Sequence, residues 1–100
     1  MISTKSDLYN LLDLNSNSIR TFGVQKLGVF GSFRHDRANV NSDVDFLVEF
    51  NPGQKTYQNL FNLYEFLTKE TGRRVEVLTS KGLSKYMGPR ILNDVEYVLF

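Results

Sequence analysis

Leu8, Leu11 and Leu12 recur at helical spacing in "STKSDLYNLLDL", behind candidate N-caps at Ser3, Thr4 and Ser6, and predict a first helix. The polar run 15–18 interrupts it, and Ile19 and Phe22 belong to a second short helical turn that stops at Gly23. "KLGVF", residues 26–30, is a continuous apolar run ending at Gly31 and Ser32, which predicts a buried strand, a tight turn and helical residues after Ser32. "SDVDFLVEF", residues 42–50, alternates and then becomes almost wholly apolar, the pattern of a central strand packed on both faces. "NPGQ" is a turn. Tyr57, Leu60, Phe61, Tyr64 and Leu67 then mark an amphipathic helix ending at Gly72, and "RRVEVLT", residues 73–79, alternates as a third strand. The remainder predicts two short helices, with Pro89 at the first position of the second, and a terminal segment docking as helix or strand. The order gives an α/β (α+β) fold, a small mixed three-stranded sheet flanked by helices.

A length of 100 residues suits one domain, 1–100, and the 41% hydrophobic content argues for a packed core. The formal charge of +1 excludes a global basic field, so no extended nucleic-acid surface is expected and any nucleotide contact is local. The chain has no cysteine, which removes disulfides, thiolate metal sites and cysteine nucleophiles together and leaves carboxylates as the metal ligands. There is neither a bilayer-length apolar run nor a secretory signal pattern, so a cytoplasmic protein without a membrane partner is expected.

Charge at the head of the apolar strand is the unusual feature. Asp43 and Asp45 lie two apart, so their side chains share a face with Cα atoms roughly 6 to 7 Å apart, while Val44 points the other way into the core. Two carboxylates at that spacing suit Mg²⁺, whose shell a nucleotide's phosphates would complete. The alternative is a pair of solvated acids at a strand edge. Gly31 permits close approach of a ligand to the backbone, and the Ser32 hydroxyl with neighbouring amides can bond a phosphate oxygen. A cradle facing a metal site is more specific than either part alone. Glu76, within the third strand, is the candidate third acid if that strand neighbours the second; otherwise it is an exposed edge residue.

"VFGSF" followed by "SDVDFLVEF", then a helix and "RRVEVLT", resembles the minimal nucleotidyltransferases of the DNA polymerase β superfamily, and "GLSKYMGPRILNDVEYV" is similar to their C-terminal part. Their pattern is Gly-Ser, a spacer carrying an Arg, and Ser-Asp-x-Asp. The resemblance implies the polymerase β-like nucleotidyltransferase fold and transfer of AMP from ATP to a hydroxyl. Gly31, Ser32, Arg34 and Ser42 would then bind the nucleotide, and Asp43, Asp45 and Glu76 would be the catalytic, metal-binding acids for two Mg²⁺ ions. Two metals roughly 3.5 to 4 Å apart activate the acceptor and stabilise the leaving group in an in-line displacement. His35 and Asp36 stand where the family usually has Arg and Gly, leaving Arg34 or Arg37 to supply positive charge from a shifted position. Larger relatives carry an acceptor-binding domain for which this length has no room. The resemblance therefore extends to antitoxins of type VII-like pairs, which act with a helical HEPN toxin, some by transferring AMP to its tyrosine. The rival expectation is a catalytically weak or inactive binding module of this fold that masks its partner. Self-association is left open.

Overall fold

In the computed structural model, which describes residues 1–99, the elements run α1 (Lys5–Leu14), α2 (Ser16–Arg20), β1 (Val24–Phe30), β2 (Val44–Phe50), α3 (Tyr57–Thr71), β3 (Val75–Thr79), α4 (Gly88–Asp94) and β4 (Glu96–Leu99). A 3-10 turn at Ser80–Gly82 replaces the first of the two short helices expected after β3. Thr4 caps α1: its hydroxyl accepts from Asp7 N–H, and the Asp7 carboxylate accepts from Thr4 N–H, closing a capping box. Gly72, at φ 69°, ends α3 in the left-handed conformation that a helix C-terminus favours.

The sheet has four strands in the order β3-β2-β1-β4, one more than expected. β1 is antiparallel to β2 and to β4, whereas β2 and β3 run parallel and are joined through α3, so the sheet is mixed as expected. The terminal segment docks as a strand because β1 would otherwise present a row of unpaired backbone groups. Gly28 makes this seam close, since a β-carbon there would strike Val95 and crowd the Tyr97 ring.

Val44, Phe46 and Val48 project from β2 into a core with Leu8, Leu12, Leu27, Val29, Leu63 and Leu67, all buried. Asp45, Leu47 and Glu49 take the opposite face by the period of two. β2 lies between two neighbours, which fixes its register: Asp45 stands level with Phe30 on one side and Glu76 on the other. Beyond the C-terminal end of β2, a cleft of about 290 Å³ is bordered by Phe50, Lys55, Thr79 and Lys81. Among the described residues no helix is long and apolar enough to cross a membrane.

Candidate active site

The antiparallel pairing of β1 with β2 returns the chain so that Gly31, just past β1, meets Asp45, near the start of β2. Gly31 has φ 75°, and a β-carbon there would collide with the Asp45 carboxylate. Only glycine satisfies both the backbone conformation and the approach. Parallel pairing with β3 then brings Glu76 to Asp45, within reach of a side-chain hydrogen bond. Burial, followed by the charges of Glu76 and Asp43, pushes the Asp45 carboxyl up to about 6. The structure thus gathers Asp43, Asp45 and Glu76 on the sheet face away from the core.

Asp43 sits immediately before β2 and pairs with Arg74, whose Nε donates to its Oδ1 at 3.1 Å. Among the described residues no three acidic or imidazole side chains already form a cage for a metal ion. The donor chemistry nevertheless suits a hard divalent cation: Asp45, raised first by burial, also carries the neighbouring charges of Glu76 and Asp43.

Residues 31–37 form a turn, not the start of the helix expected after Ser32. His35 N–H donates to Gly31 O at 3.3 Å and Arg37 N–H to Ser32 O at 2.8 Å, but Asp36 adopts φ 55°, which a right-handed helix cannot propagate. This also accounts for Asp36 where relatives have glycine. Asp is among the few residues that visit the left-handed region, and its carboxylate accepts from Lys5 N–H at 3.0 Å, satisfying an amide in the first turn of α1. Phe33 is fully buried and pins the turn to the core.

Arg34 and His35 face the C-terminal end of α4. Arg34 Nε donates to the Asp94 carbonyl at 3.1 Å, and His35 Nε2 hydrogen-bonds Asp94 Oδ1. The Gly31 N–H donates to Asp94 Oδ2 at 2.9 Å, and this bond, with His35 after it, holds the Asp94 carboxyl below the usual range. Ser42 closes the turn before Asp43, its Oγ accepting from Asn39 N–H at 2.9 Å. The structure therefore brings Gly31 to the acids, while Arg34 lies on the α4 side of the turn and Ser42 is engaged in its own loop.

Arg73 and Asp94 were not singled out by the sequence. Arg73 is only 7% exposed; its guanidinium donates to the carbonyls of Ile2 (2.8 Å), Asn39 (2.8 Å) and Ser42 (2.9 Å) and lies over the Phe33 ring at 4.9 Å. It joins the Gly-Ser turn to the loop that delivers Asp43. No pattern flags it, because the Arg-Arg pair before β3 reads as solvated charge and the three carbonyls come from distant segments. Asp94 is likewise one acid in a short helix, linked to Gly31 only through the β1–β4 pairing.

The sequence matches the nucleotidyltransferase domain family over residues 14–98. It is 31% identical over 96 residues to the protein adenylyltransferase MntA of Thermococcus cleftensis, covering 95% of this chain and 96% of that protein. The fold is similar to a solved structure described as a candidate minimal nucleotidyltransferase, with TM-score 0.81, 25% identity and coverage of 93% and 94% of the two chains. It is also similar, in fold alone, to a chain in the complex of a tri-AMPylated Shewanella oneidensis HEPN toxin with its MNT antitoxin, with TM-score 0.57, 16% identity and coverage of 86% and 70%. With the match extending from the last residue of α1 into β4, the chain belongs to the nucleotidyltransferase domain family.

Proposed function

We propose that the protein transfers AMP from ATP to a tyrosine hydroxyl of a HEPN-domain toxin and so acts as its antitoxin. The observation that carries this reading is the abutment of the Gly31 turn on Asp45, with Glu76 in register beside it. A phosphate cradle and an acidic centre that touch are what phosphoryl chemistry on a nucleotide requires. Further support comes from the kinship with MntA and from the AMPylated toxin in the related complex.

In this reading Gly31, Ser32, Arg34 and Ser42 orient the triphosphate, and Asp43, Asp45 and Glu76 hold Mg²⁺. The metal, when bound, supplies Lewis-acid stabilisation of charge on the phosphate oxygens. Carboxylates on a strand fixed between two neighbours keep the donors still while the reaction proceeds. The tyrosine oxygen attacks the α-phosphorus, its proton passing to solvent; a P–O bond forms to tyrosine, the bond to the β-phosphate breaks, and pyrophosphate leaves. Asp43 and Glu76 are exposed, so the acceptor can arrive on the partner's own surface.

Intact mass spectrometry after incubation with ATP, Mg²⁺ and the product of the neighbouring gene tests the proposal. An AMP-sized gain on the partner, absent with Asp43→Ala or Asp45→Ala, is expected. The Arg74–Asp43 pair favours one rival, a module that masks its partner without chemistry. A tight complex with no mass gain, indifferent to both substitutions, would establish masking instead.

A further inference from the structure

We propose that Asp94, at the end of α4, is the positioning residue of the nucleotide-binding turn, acting through Gly31, Arg34 and His35. The inference rests on reading that turn as the phosphate cradle.

Asp94 uses all three of its acceptor oxygens on one short segment. Oδ2 takes the Gly31 N–H, Oδ1 takes His35 Nε2, and the backbone carbonyl takes Arg34 Nε. The Gly31 bond continues the direction of the β1–β4 pairing two residues beyond its last residue pair, Val29 with Glu96, by a side chain in place of backbone. Gly31 is thus fixed from two sides: its α-carbon lies against Asp45 and its amide against Asp94. With its amide engaged by Asp94, Gly31 serves the cradle through its backbone conformation, and direct hydrogen bonds to phosphate fall to the rest of the turn, whose shape Asp94 sets. The same bond explains how His35 is accommodated where relatives have arginine: the imidazole braces the turn by holding Asp94. A charge-assisted bond of this kind is about twice as strong as a neutral one, so the carboxylate matters and not merely an oxygen at that point.

The test compares Asp94→Ala, Asp94→Asn and His35→Ala with the unaltered full chain. Amide hydrogen exchange over residues 31–37 is expected to accelerate at least tenfold in Asp94→Ala and less in Asp94→Asn, which keeps an acceptor for Gly31. Titration with a non-hydrolysable ATP analogue and Mg²⁺ is expected to show affinity about tenfold weaker in Asp94→Ala, the scale at which outer-shell partners act. His35→Ala should have little further effect in the Asp94→Ala background. Exchange in 31–37 that is unchanged in Asp94→Ala overturns the proposal whatever ATP does. So does faster exchange with affinity within twofold of the unaltered chain. Failure of the unaltered chain to bind the analogue would refute the proposed function and the nucleotide half of this inference, while the exchange comparison would still decide whether Asp94 braces the turn.

Discussion

Asp45 has the least comfortable environment of the three acids: burial and two neighbouring carboxylates lift it from 3.8 to about 6. The folded chain therefore binds this proton more tightly than the unfolded one. The favourable contribution is fully present below the unfolded value near 4 and is lost as pH rises through about 6. Asp45→Asn is accordingly expected to raise the melting temperature at pH 7.5 and to match the unaltered protein at pH 4; equal melting at both pH values would contradict this. Asp36 carries a second residue-scale prediction. Alanine there keeps a β-carbon at φ 55° and loses the bond to Lys5 N–H, so urea denaturation should show a loss of about 1–2 kcal/mol. Glycine should cost less, since it relieves the backbone while losing the same bond. The sequence marked position 36 as a departure from relatives, but the backbone angle that makes aspartate acceptable there leaves no trace in composition or spacing.

Among the elements, the strand pair that carries the acids was the most legible. Its alternation placed Val44 inward and Asp45 outward, and the "VEV" of β3 put Glu76 on the same face once the two strands are neighbours. The fourth strand was less legible, because Glu96–Leu99 is short and follows an apolar helical pattern; only the open side of β1 decides its state. The loop before Asp43 was least legible, since Arg73 organises it from another part of the chain. Arg73→Ala leaves the carbonyls of Ile2, Asn39 and Ser42 without their donor, and a stability loss on the order of 3 kcal/mol is expected from denaturant midpoints. Arg73→Lys should recover only part of it, because an ammonium lacks the planar fork that reaches several carbonyls at once. Full recovery by lysine would mean that charge alone suffices.

At the scale of the molecule, the short dimension of 20 Å accommodates one sheet and one layer of helices, at about 10 Å each. The core helices cover one face, and the acids occupy the other. Tyr57 and Tyr86 are 84% and 88% exposed. The proposed function predicts ligand linkage that should be visible globally in so small a protein: ATP with Mg²⁺ at a hundredfold excess over its dissociation constant would stabilise by about 2.7 kcal/mol, a gain that Asp43→Ala and Asp45→Ala should lose in thermal melts. The strand directions also give the molecule two functionally unlike ends. Gly31, Asp45 and Glu76 gather at one, and the cleft bordered by Lys55 and Lys81 lies at the other, roughly 15 Å away along β2. Because the chain contains no cysteine, Lys55→Cys creates a unique attachment point at that remote end. A fluorophore fixed there could follow partner arrival in real time, with the chemistry left undisturbed at the opposite end of the sheet.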